Sequence, residues 1–275
     1  MIEILILTLC LSGCATIYNP ATQRQETVLD SSVETALGNL ARAQMGLGSL
    51  KVGRVEPEQL AHVQAIGRSL AAVSDRQDIR YQFGVIREKT LNAFTLPGGT
   101  IYVHTGILDK ATDDELACVI AHEVGHVAAR HVVKHLQADL GFSVLLQLAG
   151  AAGVGPESAR VANSLYGLFS RGFSRQDELE ADRLGIRYAK KAGYNPRGLV
   201  SFFEKLQQEK PENPLDQAFV WQATHPLTSE RIARANEELS KLEGDNFCPA
   251  CGRTYPAKTR FCPVDGTRLE KKKGP

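Results

Sequence analysis

The sequence predicts an α+β fold that is mostly α-helical, with a small β-sheet and a small C-terminal unit. Three observations support this: long segments repeat apolar residues at helical spacing, a short central stretch alternates with period two, and the composition changes after residue 243. The 275 residues, 43% of them hydrophobic, suffice for one sizeable core plus appendages. We therefore expect a main domain over residues 31–243 and a second unit over 244–275.

The N-terminus has the pattern of a lipoprotein signal peptide over residues 1–14. Its apolar run at 4–11 is shorter than the ~20 residues that span a bilayer, and it closes with Leu-Ser-Gly-Cys, which resembles the lipobox of bacterial lipoproteins. We expect Cys14 to carry the lipid, and Ala15 in place of Asp favours the outer membrane. Glu3 stands where a basic residue is usual, so an unprocessed hydrophobic N-terminus is the alternative.

The elements of the main domain follow in order. Residues 15–30 are polar and rich in turn formers, and we expect a tether. Pro57 suits a first helical turn, and apolar spacing predicts a helix there. Alternation then predicts strands. The expected helix is 57–73, and the expected strands are 79–85, 92–96 and 100–104, the last two joined by a Pro-Gly-Gly turn.

Further helices are expected at 176–192, 196–208 and 229–242. The apolar stretch at 140–154 is shorter than a membrane span, so we expect a buried helix. A membrane-dipping hairpin with the run at 161–169 is the alternative.

The most informative stretch is a His-Glu-x-x-His motif at 122–126. Thr112 begins a capping box before it, which predicts that the motif lies on a helix. On a helix His122 and His126 share one face and can bind one Zn²⁺, while Glu123 is placed as a general base. A helix that carries two histidines by chance is the alternative. A third ligand elsewhere in the chain would favour the zinc site over this alternative.

The helix that follows Ser174 supplies that ligand. Glu178 and Asp182 lie four residues apart on one face, so we expect Glu178 to bind the metal and Asp182 to orient a ligand histidine. Glu180, about 200° round the helix, is the fallback ligand.

The other candidate ligands are expected elsewhere. His131 lies about 180° from His122 on the helical wheel, and Cys118 has the character of a small core residue. Val132 stands where a metzincin would need a fixed ligand residue. We expect the remaining histidines on the solvated surface, namely His62, His104, His131 and His135.

Four motifs occur in order along the main domain. They are Asn92-Ala93-Phe94 with Pro97-Gly98-Gly99, His122-Glu123-Val124-Gly125-His126, Glu178-x-x-x-Asp182, and Thr224-His225-Pro226 followed by Arg231. Together they resemble the membrane-linked zinc metallopeptidases that include HtpX, Oma1, the CAAX prenyl proteases and BepA. The resemblance covers roughly residues 25–242, and the lipobox is similar to the lipoprotein branch. The resemblance implies a gluzincin-type metallopeptidase domain.

The resemblance implies a zinc metalloendopeptidase with polypeptide substrates. An exposed strand at Asn92, Ala93 and Phe94 would pair with an extended substrate. His225 is the candidate donor to the oxyanion, with Arg231 as a supporting charge. The resemblance also implies a second role for His225, as a self-inhibiting ligand that blocks the catalytic water, and a turn residue before Pro is the third possibility.

The C-terminal unit at 244–275 resembles a zinc ribbon. Two Cys-Pro-x-x-Gly frames supply Cys248, Cys251 and Cys262, with Asp265 where a fourth Cys would stand. We expect a second, structural Zn²⁺, because about 30 residues hold too little core to fold alone. An oxidised Cys248–Cys251 pair is the alternative, and the sequence does not identify a partner for the ribbon.

The leading hypothesis is a lipid-anchored zinc endopeptidase that degrades misfolded envelope proteins. A net charge of +1 gives no support to nucleic-acid binding. A chaperone-like or scaffold lipoprotein that retains the peptidase fold is the alternative, although Glu123 would have no use there. A third hypothesis makes the ribbon the functional part.

Overall fold

The computed structural model describes residues 14–141, 144–145, 163–164, 167, 172–208, 224–243, 246–255 and 259–271. The apolar stretches at 140–154 and 161–169 therefore lie mostly outside the described residues, as do residues 1–13 of the predicted signal peptide. Within the described ranges, no helix combines the length and the apolar character that crossing a bilayer requires.

The described elements confirm the predicted α+β class. The strands are β1 (Cys14–Asn19), β2 (Arg24–Leu29), β3 (Lys51–Val52), β4 (Gln82–Ile86), β5 (Ala93–Leu96), β6 (Thr100–His104), β7 (Asn246–Phe247), β8 (Thr254–Tyr255) and β9 (Glu270–Lys271). The helices are α1 (Ser31–Gln44), α2 (Pro57–Val73), α3 (Thr105–Leu108), α4 (Asp113–Ala128), α5 (His131–Leu140), α6 (Arg175–Lys191), α7 (Gly198–Gln208) and α8 (Ser229–Glu243).

The main sheet has the strand order β3-β4-β6-β5. Strands β3, β4 and β6 run parallel, whereas β5 runs antiparallel to β6 with Ala93 opposite Val103. Strand β5 is thus an edge strand, as expected for the run at 92–96. The turn into β6 holds Gly98 at φ +75°, where an added Cβ would stand 2.7 Å from the Thr35 backbone, so only glycine fits there.

Helix α4 runs through the centre of the molecule. Every residue from Glu115 to Ala128 is buried, which is the signature of a helix enclosed on all sides. The predicted capping box forms: Thr112 Oγ1 accepts from the Glu115 amide, and the Thr112 amide donates to Glu115 Oε2. The motif is therefore held on a rigid buried element.

Helices α4 and α6 approach closely because glycines line their contact. A Cβ on Gly125 would stand 2.8 Å from the Ala181 carbonyl oxygen, and one on Gly185 would stand 2.9 Å from the His122 amide nitrogen. This approach brings the Glu178 face of α6 against the histidine face of α4.

The predicted tether at 15–30 was wrong as a description of local structure. Strands β1 and β2 pair as an antiparallel hairpin, with Cys14 opposite Leu29. The Asn19 side chain closes the turn by accepting from the Ala21 amide, and it donates to the Ala128 carbonyl at the end of α4. These bonds fix a polar segment that has no hydrophobic signal of its own.

The backbone turns sharply between the end of α4 and the start of α5. Arg130 adopts φ +60°, and α5 begins at the next residue. The Arg130 guanidinium pairs with the buried Glu34 carboxylate. Arg76 forms a second ion pair with this carboxylate, with its Nη2 2.8 Å from Glu34 Oε2. His131 is consequently buried rather than solvated, because the helical wheel of α4 does not continue through the break.

Of the other three histidines that were predicted on the surface, one is buried and two are partly exposed. His104 is buried, which contradicts the prediction, because it closes a strand of the central sheet. The side chain of His62 is 44% exposed and that of His135 is 32% exposed. Cys118 lies in the core, as predicted.

Candidate active site

The two motif histidines converge on one point. His122 and His126 lie one turn apart on α4, and both side chains are fully buried. Their Nε2 atoms stand 3.0 Å apart. Burial, with a smaller effect from the neighbouring His122, lowers the pKa of His126 well below its ordinary value, so this imidazole is neutral and offers a lone pair.

Glu178 completes a three-residue group. Its Oε1 lies 3.4 Å from His126 Nε2, and its Oε2 lies 3.6 Å from His122 Nε2. Burial alone would raise the pKa of Glu178, but His225 and Arg231 bring it well below its usual range, so the carboxyl is ionised. Glu180, the fallback ligand, is turned away and contacts His131 instead.

Glu123 is held by a residue that the sequence did not reveal. Thr95 Oγ1, on edge strand β5, donates to Glu123 Oε2 at 2.8 Å and also lies 3.2 Å from the Glu123 carbonyl oxygen. Thr95 is a polar residue in a strand whose four residues are all buried, and no motif in the sequence marks it. This bond orients the carboxylate beside the ligand group.

His225 lies inside the same group. Its Nδ1 stands 2.9 Å from Glu178 Oε1 and 3.3 Å from His122 Nε2, while its Nε2 stands 3.4 Å from Glu123 Oε1. Burial alone would lower the pKa of His225, but the carboxylates of Glu178 and Glu123 raise it above its ordinary value. The ring thus fills the space between the ligand carboxylate and the expected base.

Asp182 and Arg231 support the group from behind. Asp182 Oδ1 lies 2.9 Å from His122 Nδ1, the arrangement that fixes a ligand histidine. Arg231 donates to both Asp182 oxygens, at 2.7 and 2.8 Å, and lies 2.6 Å from Glu178 Oε2. The Arg231 guanidinium is thus engaged by these two carboxylates, and its expected role as a supporting charge for the oxyanion stays a prediction.

The aromatic ring of Phe173, which was not among the predicted site residues, covers the histidines of the site. The Phe173 ring stacks on that of His126, with centroids 4.0 Å apart, and lies 5.7 Å from His225. Phe173 immediately precedes the N-cap of α6 and belongs to none of the sequence motifs. It excludes water from one side of the group.

The three residues expected to contact substrate lie near the site on β5 or just before it. Ala93 is in the core, and Phe94 packs against Tyr102 with centroids 5.6 Å apart. Asn92 Oδ1 lies 3.5 Å from Thr224 Oγ1, next to His225. Any contact of this run with a substrate therefore involves backbone more than side chains.

The site fits a zinc ion by the chemistry of its donors. His122, His126, Glu178 and His225 each offer one ligand atom, and these atoms lie within 4.8 Å of one another in a fully buried cluster. Neutral imidazole nitrogens and a carboxylate oxygen are donors that Zn²⁺ prefers. The residues present therefore suit the metal that the sequence motif predicts.

A second group of possible ligands lies in the C-terminal unit. Strands β7, β8 and β9 form a small sheet, and two similar turns carry the sulfur atoms. The Gly252 amide donates to the Cys248 carbonyl at 2.8 Å, and the Gly266 amide donates to the Cys262 carbonyl at 2.9 Å. One ligand atom from each of Cys248, Cys251, Cys262 and Asp265 lies within 4.8 Å of the others.

A helix with His-Glu-x-x-His and a glutamate from a second helix define a gluzincin-type zinc metallopeptidase domain. Residues 57–239 match the family model described as Peptidase family M48. The chain belongs to peptidase family M48. The match contains every residue of the group around His122.

Three relatives illustrate the similarity. The chain is 32% identical over 204 residues to the mitochondrial metalloendopeptidase OMA1 of Schizosaccharomyces pombe, covering 73% of this chain and 59% of the relative. It is 32% identical over 211 residues to a putative beta-barrel assembly-enhancing protease of Vibrio cholerae, covering 70% and 42%. It is 32% identical over 189 residues to the metalloprotease LoiP of Escherichia coli, covering 66% and 71%. The matched region thus spans 59% of the length of the first relative and 42% of the length of the second.

Proposed function

We propose that this chain is a zinc-dependent endopeptidase in which His122, His126 and Glu178 hold the metal. The observation that carries the proposal is the convergence of these three buried side chains, with Glu123 fixed beside them by Thr95. Membership of a peptidase family supports polypeptide substrates. A protein that acted only by binding would have no use for a buried carboxylate held at this place.

Each residue of the group has a task in peptide hydrolysis. Zinc, when bound, would supply Lewis acidity that activates water and polarises the scissile carbonyl. Glu123 accepts the proton of the attacking water and then delivers it to the leaving amine. Thr95 keeps the Glu123 carboxylate in place, and Asp182 holds the His122 ring through Nδ1. Strand β5, at the sheet edge, pairs with the extended substrate.

His225 acts as a gate in this proposal. Its ring stands between Glu178 and Glu123, at 2.9 and 3.4 Å, where water and the scissile carbonyl must be accommodated. The ring therefore has to leave this position before hydrolysis. In the alternative, His225 donates to the oxyanion and is needed for catalysis.

Replacing His225 separates these two roles. Under the gate proposal, His225→Ala keeps zinc and raises the basal rate of cleavage of an unfolded protein such as casein. A fall of about 10²-fold or more in kcat, with zinc retained, would instead support the oxyanion role. The measurement is steady-state cleavage with zinc quantified in the same sample.

The choice of third ligand is tested by a matched pair of variants on α6. Glu178→Gln should lose zinc from the main domain and lose cleavage, because a neutral amide replaces the ligand carboxylate. Glu180→Gln should retain both. The converse result would transfer the ligand role to Glu180. The measurement is zinc per chain, with circular dichroism to confirm the fold.

We also propose that the protein acts in quality control at the bacterial cell envelope, on the periplasmic face of the outer membrane. Two observations support this: the lipobox that ends at Cys14, and relatives named as beta-barrel assembly-enhancing proteases. The natural substrates would then be misfolded or misassembled envelope proteins. Wild-type protein should incorporate labelled palmitate and fractionate with membranes, whereas Cys14→Ser should do neither.

The C-terminal unit at 244–275 is proposed as a zinc ribbon that binds a second, structural Zn²⁺. Its ligands would be three thiolates and the Asp265 carboxylate. The support is the packing of Cys248 Sγ 3.5 Å from Asp265 Oδ2 and of Cys251 Sγ 3.7 Å from Cys262 Sγ. A metal site of this kind supplies the stability that such a small core lacks.

A further inference from the structure

A cluster of polar side chains lies behind the second ligand histidine, and the mechanism above does not use it. His131, the first residue of α5, places its Nδ1 2.9 Å from His126 Nδ1. On its other side, His131 Nε2 lies 3.3 Å from Glu180 Oε2 and 3.5 Å from Asp177 Oδ1. His131 is 1% exposed, so these contacts form away from bulk water.

The direction of each hydrogen bond in this series follows from the nitrogen of His126 that would hold the metal. Nε2 faces His122 and Glu178 and would use its lone pair as the ligand, so Nδ1 carries the proton and donates. His131 Nδ1 is then the acceptor and has no proton. His131 then carries its hydrogen on Nε2 and donates a hydrogen bond to Glu180 Oε2, while Asp177 Oδ1 lies 3.5 Å from the same nitrogen.

We propose that His131 is a positioning residue that fixes the orientation and the tautomer of His126. This inference rests on the proposed zinc site. It gives each ligand histidine a partner at Nδ1: Asp182 serves His122 directly, at 2.9 Å, and His131 serves His126. The carboxylates of α6 act one step further out, through His131.

The backbone conformation at Arg130 makes the contact between His131 and His126 possible. Arg130 at φ +60° ends α4 and turns the chain, so that the next side chain folds back onto His126. The rings of His126 and His131 meet edge to face, with centroids 4.9 Å apart. A straight continuation of α4 would have carried His131 to the opposite side.

Three variants of the full chain test the role through zinc affinity, measured by competition with a chelating indicator. His131→Leu removes the acceptor and should weaken zinc binding at the main site about 10- to 100-fold. His131→Gln should stay within a few-fold of wild type, because its amide can accept from His126 and donate to Glu180. His135→Leu is the matched control: it lies on the same helix and contacts Asp177 without touching a ligand, and should leave the affinity unchanged.

Equal zinc affinity in wild type and His131→Leu would overturn the proposal, and so would an equal loss in His131→Gln and His131→Leu. Failure of wild type to bind zinc at the main site would instead overturn the proposed function. The tautomers give an independent measurement on wild-type protein, even where a variant does not fold. Long-range ¹H–¹⁵N spectra of the zinc-loaded chain should show His126 protonated at Nδ1 and His131 at Nε2. A proton on His131 Nδ1 would contradict the proposal.

Discussion

At the scale of single residues, the candidate site depends on buried charges that are balanced by one arginine. Arg231 is fully buried and contacts both Asp182 and Glu178. Burial alone would lower the pKa of Arg231, but the two carboxylates raise it above its usual value. Each carboxylate in turn faces a histidine of the ligand group, so the arginine holds the polar framework together.

Removal of Arg231 should therefore destabilise the protein strongly. Arg231→Met leaves two buried carboxylates without their cation, and breaking a buried pair in this way costs about 3–5 kcal/mol. Arg234→Met on the same helix removes an exposed cation and should change stability by less than about 0.5 kcal/mol. Urea unfolding of the two variants measures the difference. A similar small loss for both would show that Arg231 is dispensable.

His104 should make stability depend on pH. Burial lowers the pKa of His104 to about 4, with a weaker opposing effect of Glu88. Between pH 6.5 and 4 the unfolded chain binds a proton at this residue that the folded chain does not, so stability rises with pH through this window and is lost as pH falls. The expected contribution is about 3 kcal/mol.

The control for this effect is His104→Gln, which has no titrating group. The free energy of unfolding, followed from pH 7 to pH 4, should fall more steeply for wild type than for the variant. Identical slopes would contradict the assignment of this pH dependence to His104.

Residue by residue, local spacing predicted some of the site and missed the rest for a physical reason. His122, Glu123 and His126 are neighbours on one helix, so their mutual placement follows from the helical period. Thr95 and Phe173 reach the site from other elements, and no pattern within their own segments marks them. Contacts of that kind depend on tertiary packing.

At the scale of elements, the distance between α4 and α6 decides whether the ligands meet. Gly185 faces the His122 amide so closely that a Cβ would stand 2.9 Å from its nitrogen. A methyl group at this place must move one helix away from the other. Glu178, two turns earlier on α6, would move with it.

Gly185→Ala should consequently lower both stability and zinc affinity. Overpacking of this kind costs about 1–3 kcal/mol, and displacement of the ligand helix should weaken zinc binding. Lys191→Ala, an exposed change near the end of the same helix, is the control. The measurements are thermal unfolding and zinc competition. Unchanged zinc affinity in Gly185→Ala would show that the ligand geometry tolerates the shift.

Helix ends were well predicted because their signals are local. The predicted capping box at Thr112 begins α4, and α6 follows Ser174 as expected, with a capping box that the structure adds. The hairpin of β1 and β2 was missed, because it is fixed by the Asn19 turn and its bond to Ala128 rather than by a hydrophobic pattern. The burial of His131 was missed because the break at Arg130 has no sequence signal that periodicity detects.

At the scale of the whole molecule, each of the two units would hold one zinc ion under the proposed function. The proposed ribbon ligands lie far along the chain from the peptidase ligands, so we expect that the two sites can be emptied separately. Cys262→Ser should reduce bound zinc from two ions to one per chain while cleavage of casein continues. Cys118→Ala, which alters a core cysteine outside both sites, should keep both ions.

Elemental analysis of purified protein provides the count. Two ions in Cys262→Ser would contradict the ribbon site, and so would one ion in wild type that remains in this variant.

The fold class and the order of the motifs were predictable from the sequence, whereas the buried carboxylate–arginine framework and the position of His225 required three-dimensional structure.

The most direct test of the central claim compares wild type with Glu123→Gln in one experiment that records both zinc per chain and cleavage of casein. The substitution preserves size and removes only the base, so zinc content and fold should match wild type while the cleavage rate falls by at least about 10²-fold. Cleavage at the wild-type rate by Glu123→Gln with zinc bound would contradict the account.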